Sequence, residues 1–345
     1  MTSVGVPGPA PLPPGLPDDV SRLLREAAAG LAQAGIDSPR VDAELLLAHV
    51  AGVPRERVVS AAVLGRPVAS LLLASGSAPG ADRTAEQVLD EMSRLLAARA
   101  ARVPLQHLTG SAPFRHLELL VGPGVFVPRP ETEQVAQVAI DEALEVAARR
   151  PGAPVVAVDL CTGSGAIALA LATEVPTARV HAVELDRDAH SWAERNVTRT
   201  RAESGAVVHL VRGDARTAFA DLDGACDVVA SNPPYVPPGA VPRDPEVALH
   251  DPQVALYGLG DDGLEVPRGV TRAAARLLAD GGLYVMEHAE VQAEAARGMV
   301  ARVGGFDEIR TVDDLTGRPR MVVARRVRAT SDAPAAQADP SDMED

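Results

Sequence analysis

Aromatic residues are scarce in this sequence: Phe, Tyr and Trp make up 2% of its 345 residues, whereas hydrophobic residues of all kinds make up 46%. Any core must therefore be aliphatic, and the chain is long enough to form two domains around such cores. Because the sequence contains three tyrosines, the position of each one is informative. Tyr235 directly follows Asn232 and two prolines, which singles out that short stretch.

Cysteine, basic charge and long apolar runs are also lacking. The two cysteines, Cys161 and Cys226, lie in apolar stretches, a pattern that argues against a disulfide framework and against a metal site. The net charge of −14 argues against binding nucleic acid through its phosphates, which requires clustered Lys and Arg. No apolar run reaches transmembrane length, and Met1–Gly15 lacks the pattern of a signal peptide. We therefore expect a cytoplasmic protein that acts on a protein or small molecule, without membrane attachment.

The N-terminal part of the chain carries helical patterns between segments of low complexity. Residues 1–18 are rich in Pro and Gly and are expected to be disordered, as is the Ser-, Gly- and Ala-rich stretch 69–82. Apolar spacing and capping signals predict three helices, which run from Asp19 to Gly35, from Pro39 to Val50 and from the capping box of Thr84 to Arg99. Together they predict a small helical domain.

Residues 104–127 have alternating apolar positions and a Gly-Pro-Gly sequence, which predict a β-hairpin that connects two domains. A polar turn follows, in which Thr132 or Glu131 is expected to cap a helix that extends to about Arg149. Arg129 lies between two prolines and is held extended. We expect Arg129 and Glu131 to form one wall of a site at the domain junction.

From Val155 the pattern becomes strand, glycine turn and helix. Gly163 and Gly165 are expected to let the backbone approach a ligand at the N-terminus of a helix. A second strand ends on Glu184, about 20 residues further on, where an acid can accept hydrogen bonds from both ribose hydroxyls. A third strand ends at Asp214, which is expected to meet an adenine edge. These strand ends predict one crevice for an adenosine-containing ligand.

The glycine turn also fits a dinucleotide fingerprint, so a nicotinamide dehydrogenase is an alternative. Asp159 directly precedes the turn, and an acid there suits an ammonium group better than a pyrophosphate. S-adenosylmethionine carries such a group. The strand 226–230 then delivers Asn232 to the same crevice, beside the expected methyl group, which a dehydrogenase would not need. This combination favours methyl transfer.

The stretch from Ser231 to Tyr235 is suited to bind a planar nitrogen. Its two prolines lack N–H donors and restrict the backbone, which leaves the Asn232 side chain and the Pro233 carbonyl as acceptors. An amide NH2 group can donate one hydrogen bond to each of them, and Tyr235 offers a ring face for stacking. The alternative is that the stretch is merely a rigid loop after a strand.

Several stretches together resemble the family of peptide chain release factor glutamine N5-methyltransferases, between residues 19 and 327. The resemblance rests on residues 38–44, 104–106, 122–124, 128–133, 159–165, 232–235 and 314–318. Asn-Pro-Pro-Tyr is shared with adenine and guanine N-methyltransferases and therefore indicates only a planar nitrogen acceptor. Pro-Arg-Pro-Glu-Thr-Glu at 128–133 discriminates, because the related ribosomal-protein glutamine methyltransferases look different there.

The resemblance implies an α/β fold, with a Rossmann-like seven-stranded class I methyltransferase domain (128–328) that contains one antiparallel strand. It implies that a helical domain (19–103), joined by the hairpin connector (104–127), helps to recognise the release factor. The implied reaction transfers a methyl group from S-adenosylmethionine to the glutamine of a Gly-Gly-Gln loop, and the enzyme is expected to be a monomer. Alternatives are methylation of a ribosomal-protein glutamine or of a nucleic-acid base.

The expected site residues fall into three overlapping groups. The catalytic residues are Asn232, Pro233 and Tyr235. The cofactor is expected to contact Asp159, Cys161, Thr162, Gly163, Ser164, Gly165, Glu184, Asp214, Ala215 and Asn232. The protein substrate is expected to contact Arg129, Glu131, Asn232, Pro233, Pro234 and Tyr235.

Two later segments complete the sequence-based predictions. Residues 245–263 resemble a family loop that covers the site, and there a catalytic pair of His250 and Asp251 is less expected than two solvated side chains. The acidic tail 329–345 is expected to be disordered.

Overall fold

The computed structural model describes residues 15–72, 83–242 and 244–328. The predictions of disorder for 1–18, 69–82 and 329–345 therefore lie largely outside the described residues. Where they lie inside, they are wrong: Ala69–Leu72 is helical, and the Val68 backbone N–H donates to the Asp18 carbonyl at 2.8 Å. Buried Leu71 and half-buried Leu16 pack on the helical core, and this apolar burial explains the order at both places.

The N-terminal part is a cluster of helices around an aliphatic core. The helices are α1 (Val20–Gln33), α2 (Pro39–Ala51), α3 (Arg55–Val63), α4 (Ala69–Leu72) and α5 (Ala85–Ala100). The predicted capping box of α5 is confirmed, since the Gln87 backbone N–H donates to the Thr84 hydroxyl at 3.2 Å and the Thr84 N–H donates to the Gln87 side chain at 2.9 Å. The core contains the fully buried Leu23, Leu24, Leu46, Leu47, Met92 and Leu96.

The connector contacts the cores on both sides. It begins with a short helix that the sequence analysis did not predict, α6 (Leu105–Thr109), and continues with the predicted hairpin of β1 (Ser111–Phe114) and β2 (Leu117–Leu120). Leu105 packs on the helical core, whereas Phe114 and Leu119 are buried in the core of the C-terminal domain. The connector therefore joins the two domains through packing as well as through the chain.

The C-terminal domain is a seven-stranded sheet with helices on both faces. Its strands are β3 (Val155–Leu160), β4 (Ala178–Glu184), β5 (Val208–Arg212), β6 (Cys226–Ser231), β7 (Leu278–Glu287), β8 (Phe306–Asp313) and β9 (Pro319–Arg326). Its helices are α7 (Thr132–Arg149), α8 (Ala166–Glu174), α9 (Arg187–Ser204), α10 (Pro245–His250), α11 (Gln253–Leu256), α12 (Glu265–Leu277) and α13 (Ala293–Val303). The segment expected to be a covering loop thus contains two short helices, α10 and α11.

The sheet has the order β5-β4-β3-β6-β7-β9-β8. The strands β3 to β7 pair in parallel, whereas β9 is antiparallel to both of its neighbours, so the predicted single antiparallel strand is confirmed. The chain order reverses between β3 and β6, and ligands bind at the carboxyl ends of the strands at such a switch point. No helix among the described residues is long and apolar enough to cross a membrane.

An ion-pair network joins the helical domain to α10. Arg99 at the end of α5 is 6% exposed and donates to Asp42 of α2 and to Glu246 of α10, each at 2.7 Å. Arg102 also lies 3.3 Å from Glu246. The N-terminal domain is therefore in direct contact with the segment that follows the Asn-Pro-Pro-Tyr turn.

Candidate active site

A cavity of about 820 Å³ lies at the carboxyl ends of the parallel strands, and its volume is typical of a small-molecule site. Most of the residues expected at the site line it: Arg129, Glu131, Cys161, Thr162, Gly163, Ser164, Glu184, Asp214, Ala215, Asn232, Pro234 and Tyr235. Three expected residues, Asp159, Gly165 and Pro233, do not line this cavity. The sheet topology thus brings the four strand ends that the sequence predicted into one place.

The glycine turn presents its backbone to the cavity at Gly163. This residue has φ +58, and a Cβ atom there would meet no atom within 4 Å, so the space in front of it is open to a ligand. Its backbone N–H donates to Glu184 Oε2 at 2.8 Å, and the Asp186 N–H donates to Glu184 Oε1 at 2.9 Å. Burial raises the pKa of Glu184. Two backbone donors thus fix the carboxylate, which keeps lone pairs for further donors.

Gly165 serves packing rather than ligand approach. It is the N-cap of α8 with φ +89, and an added Cβ would lie 3.3 Å from Leu169 Cδ1 and 3.9 Å from Ala193 Cα. The expectation that both glycines face the ligand is therefore wrong for Gly165. Its missing side chain instead allows α8 and α9 to approach each other beneath the turn.

Asp159 lies beneath the turn and braces it. It is 1% exposed, and its Oδ2 accepts hydrogen bonds from the Thr162 hydroxyl at 2.6 Å and from the Ala168 N–H at 3.1 Å. Burial raises the pKa of Asp159 to about 7. The expected direct contact with an ammonium group does not fit this placement. The carboxylate instead fixes the turn to the first turn of α8.

Cys161 lines the cavity in a left-handed backbone conformation, with φ 64. That region is uncommon for a residue with a side chain and is found mostly where the surroundings enforce it. Burial raises the pKa of the thiol, and the nearby Glu184 and Asp159 raise it further. The thiol therefore stays protonated and serves as a small apolar surface.

Asp214 has a partner in the structure. The Arg216 Nε donates to both of its carboxylate oxygens at 2.9 Å, and this guanidinium lowers the pKa of Asp214. Both residues line the cavity. An adenine at this strand end would therefore meet an ion pair instead of a lone carboxylate.

The Asn-Pro-Pro-Tyr turn belongs to a hydrogen-bonded network that the sequence analysis did not predict. The Asn232 Nδ2 donates to the Thr132 hydroxyl at 3.2 Å, and this hydroxyl donates to Glu287 Oε2 at 2.7 Å. The Tyr235 hydroxyl donates to Glu287 Oε1 at 3.1 Å. Within the described residues, neither Asn232 Oδ1 nor the Pro233 carbonyl accepts a hydrogen bond. The two acceptors expected from the sequence are therefore without partners in the part of the chain that the structure describes.

Glu287 is the centre of this network. It is 3% exposed and ends β7, next to the strand that leads to Asn232. Burial raises its pKa, while the hydroxyl of Thr132, the charge of Arg320 and the hydroxyl of Tyr235 lower it. Arg320 lines the cavity and donates to Asp314 Oδ2 from both Nε and Nη2, at 3.2 and 3.1 Å. The only sequence signal for Glu287 was its position at the end of a strand.

The turn before α7 differs from its prediction in how the helix is capped. Neither Glu131 nor Thr132 caps the helix: Glu131 occupies the N-cap position without a side-chain hydrogen bond, and the Thr132 hydroxyl is bonded to Glu287. Arg129 forms an ion pair with Asp251 at 3.0 Å. Both Arg129 and Glu131 do line the cavity, as expected.

His250 and Asp251 do not line the cavity. The Asp251 side chain is fully buried, and burial raises its pKa to about 6 although Arg129 opposes this shift. Asp251 is therefore not solvated as expected, and His250 is half-buried. Asp251 instead fastens the segment that contains α10 and α11 to the turn before α7.

Comparisons with known proteins agree with this architecture. Residues 22–110 match the family described as PrmC N-terminal domain, and residues 138–244 match the methyltransferase small domain. A release factor glutamine methyltransferase of Streptomyces coelicolor is 46% identical over 88% of this chain and 96% of that protein. One from Bifidobacterium longum is 40% identical over 88% of this chain and 99% of that protein.

A solved structure of similar sequence is a release factor-specific protein-(glutamine-N5) methyltransferase from Alicyclobacillus acidocaldarius. It is 27% identical, covers 60% of this chain and 99% of its own, and superimposes with a TM-score of 0.33.

Proposed function

The chain belongs to the release factor glutamine methyltransferases, and from this premise we propose that it methylates the side-chain N5 of the glutamine in the Gly-Gly-Gln loop of peptide chain release factors. The methyl donor in this proposal is S-adenosylmethionine. The observation that carries the proposal is the pair of acceptors at Asn232 and Pro233, which have no partners among the described residues. A primary amide brings two N–H donors, which matches this pair.

The cavity has the features that S-adenosylmethionine requires. The open space at Gly163 accommodates close approach of a ligand to the backbone, and Glu184 is held ready to accept hydrogen bonds from ribose hydroxyls. Asp214 and Ala215 line the side where the base would lie, and Cys161, Thr162 and Ser164 line the turn itself. When bound, this cofactor supplies an electrophilic methyl group. Asp159 and Gly165 support the same site from beneath.

The residues at the acceptor end act by orientation. An amide nitrogen is a poor nucleophile because its lone pair is delocalised, and two fixed acceptors can hold both N–H groups so that the lone pair faces the methyl group. Asn232 Oδ1 and the Pro233 carbonyl are these acceptors, and the Tyr235 ring with Pro234 supports the plane of the amide. Rate enhancement then comes from positioning and fixed dipoles instead of a strong base. The released proton passes to solvent.

The helical domain of residues 19–103 is proposed to bind the release factor. It contributes no residue to the cavity lining among the described residues, which leaves it available for a protein partner. Arg129 and Glu131 line the cavity at the junction of the two domains and are placed to contact the incoming loop. We further propose that the enzyme works in the cytoplasm as a monomer.

Incubation with labelled S-adenosylmethionine and a panel of acceptors tests the proposal. The panel contains a release factor, the same factor with the glutamine of its Gly-Gly-Gln loop replaced by alanine, ribosomal proteins, and DNA and RNA. We expect label on the unmodified release factor alone, with mass spectrometry placing the methyl group on that glutamine. Label on ribosomal proteins or nucleic acid, with none on the release factor, would support one of the alternatives instead.

A further inference from the structure

The hydrogen-bonded network of Asn232, Thr132 and Glu287, all of which line the cavity, has a definite direction. Resting on the function proposed above, we propose that Glu287 is a positioning residue that sets the donor and acceptor polarity of the methyl-acceptor site through Thr132. In this arrangement Asn232 presents its oxygen to the substrate, so the site accepts a primary amide and disfavours a carboxylate. Glu287 also lines the cavity, but the proposed role is exerted through Thr132 and Asn232 and requires no contact of Glu287 with the substrate.

The single proton of the Thr132 hydroxyl determines the direction of the network. A hydroxyl carries one proton and can donate one hydrogen bond while it accepts others. In its ionised form the carboxylate of Glu287 can only accept, and its Oε2 lies 2.7 Å from the Thr132 hydroxyl oxygen. That contact uses the single proton of the hydroxyl. Thr132 is therefore available to its other neighbour only as an acceptor.

The orientation of the Asn232 amide follows from the state of the Thr132 hydroxyl. Its side chain lies 3.2 Å from the Thr132 hydroxyl, and with Thr132 limited to accepting, the NH2 group of Asn232 must face it. The oxygen of Asn232 then faces away from Thr132 as the acceptor without a partner. A reversed amide would set two acceptors against each other and leave the NH2 group without this bond. The carboxylate thus selects one of two amide orientations that have nearly the same shape.

The same carboxylate holds Tyr235. The Tyr235 hydroxyl donates to Glu287 Oε1 at 3.1 Å, so each carboxylate oxygen accepts one hydroxyl proton. Burial raises the pKa of the Tyr235 phenol, and the neighbouring Glu287 raises it further, so this hydroxyl remains a donor. One buried side chain therefore positions both the orienting amide and the ring of the Asn-Pro-Pro-Tyr turn.

Contacts of both carboxylate oxygens with hydroxyl donors support the role of Glu287 as an acceptor, against burial, which raises its pKa. Arg320 on β9 provides positive charge nearby and is itself held by Asp314, whereas Glu131 before α7 is the opposing negative charge. Protonation of Glu287 would let it donate to Thr132 and would permit the reversed amide. The protonation state of Glu287 thus determines whether Asn232 presents its oxygen or its NH2 group to the substrate.

Two variants test the direction of the network. Glu287→Gln keeps the shape but can donate an N–H to Thr132, so that the hydroxyl can donate to Asn232 Oδ1 and reverse the amide. Thr132→Val keeps the shape and removes the hydroxyl that transmits the polarity. Thr132→Ser retains the hydroxyl and serves as the conservative variant. Glu142→Gln is the matched control, because Glu142 is also a buried carboxylate, 5% exposed, but pairs with Arg149 and Arg325 away from the cavity.

The expected result is a fall in kcat of about a hundredfold for Glu287→Gln and of similar size for Thr132→Val, since misorientation of a reacting group has effects of that order. The dissociation constant for S-adenosylmethionine, measured by calorimetry, should stay within about threefold, because the cofactor end of the cavity is unchanged. Thr132→Ser should recover most of the activity, and Glu142→Gln should keep it. The double variant Glu287→Gln with Thr132→Val should lose little more than the worse single variant, because both act through one route.

Selectivity gives a second readout that a purely structural role would not change. A release factor with glutamate in place of the loop glutamine offers carboxylate oxygens, which the wild-type acceptors repel. We expect this glutamate-containing release factor to inhibit the Glu287→Gln enzyme more strongly than it inhibits the wild type. Its inhibition of the Glu142→Gln control should match that of the wild type. Equal inhibition of all three proteins, or normal kcat in both Glu287→Gln and Thr132→Val, would overturn the proposal.

Failure of the proposed function gives a different result. In that case the wild-type protein would leave the release factor unmethylated. If only the polarity role is wrong, the wild type methylates the release factor, and the Glu287→Gln and Thr132→Val variants do so at the same rate. Thermal unfolding of each variant checks its fold. If Glu287→Gln does not fold, Thr132→Val alone decides between the two outcomes.

Discussion

The two ends of the cavity are built in different ways. The end proposed to bind the cofactor is built around one contiguous stretch, Cys161 to Ser164, in which Cys161 and Gly163 are left-handed and the Gly163 N–H holds Glu184. The acceptor end consists of side chains from separate segments, among them Thr132, Asn232 and Glu287. The first end depends on backbone conformation and the second on the direction of hydrogen bonds, so they should respond differently to substitution.

The largest effect should follow from breaking the acceptor end at Asn232. Asn232→Ala removes one of the two acceptors and leaves a substrate N–H unpaired, which should cost about 3 kcal/mol, or about a hundredfold in the rate of single-turnover methylation. Cofactor affinity should change far less, because the glycine turn is untouched. A near-normal single-turnover rate would show that the turn is only structural.

A smaller effect should follow from filling the open space at the cofactor end. Gly163→Ala places a methyl group in front of the turn, and we expect S-adenosylmethionine to bind about tenfold or more weakly by calorimetry. Gly152→Ala is the matched control, because Gly152 also has positive φ, +82, and also has no atom within 4 Å of an added Cβ, but does not line the cavity. Equal cofactor affinity in both variants would remove Gly163 from the cofactor site.

The brace under the glycine turn should give a dependence of stability on pH. Asp159 has a folded-state pKa of about 7, raised from 3.8, so the folded state binds more protons than the unfolded state between these values. This contribution makes the protein less stable as pH rises through that window, by at most about 1.4 kcal/mol per pH unit. Asp159→Asn should flatten the change in unfolding free energy between pH 5.5 and pH 8 in urea titrations.

A control for this measurement lies at the acceptor end. Thr316 and Arg320 hold the pKa of Asp314 at about 2, below its ordinary 3.8. Its contribution is therefore complete above that ordinary value and is lost only in stronger acid. Asp314→Asn should leave the slope between pH 5.5 and pH 8 unchanged. An unchanged slope in Asp159→Asn as well would show that Asp159 is ionised throughout this range.

The smallest effect should be that of Cys161→Gly. Glycine relieves the left-handed conformation at φ 64, which is worth about 1 kcal/mol, but it adds freedom to the unfolded chain by a similar amount. The unfolding free energy should therefore stay within about 1 kcal/mol of wild type. Cys161→Val should be clearly less stable, because β-branched residues rarely adopt positive φ. If the two variants are equally stable, the turn does not enforce this conformation.

The difference between contiguous and dispersed residues also separates what could be predicted from the sequence from what could not. Apolar runs and glycine positions predicted the strands up to Asn232 and the glycine turn, because these depend on local patterns. The seven-stranded sheet with its one antiparallel strand followed from the family resemblance instead. The bond between Thr132 and Glu287 joins residues 155 positions apart, and the pair of Arg129 and Asp251 spans 122. Nothing local to Thr132 distinguishes a network member from a helix cap. Asp159 was misplaced for a related reason, since the sequence does not show which side of the turn its side chain occupies.

The ion pairs of Arg99 affect whether the helical and methyltransferase domains of related enzymes can be combined in a chimera. Arg99 belongs to the helical domain, while Glu246, whose side chain is 16% exposed, belongs to the methyltransferase domain. A chimera that took its helical domain from a relative without this arginine would leave Glu246 largely buried and without this partner, a change that destabilises proteins strongly. The two domains are therefore not independent modules. Exchange of the helical domain requires a matching residue in α10, so a working chimera must preserve the contacts between the domains as well as join the chain at a suitable residue.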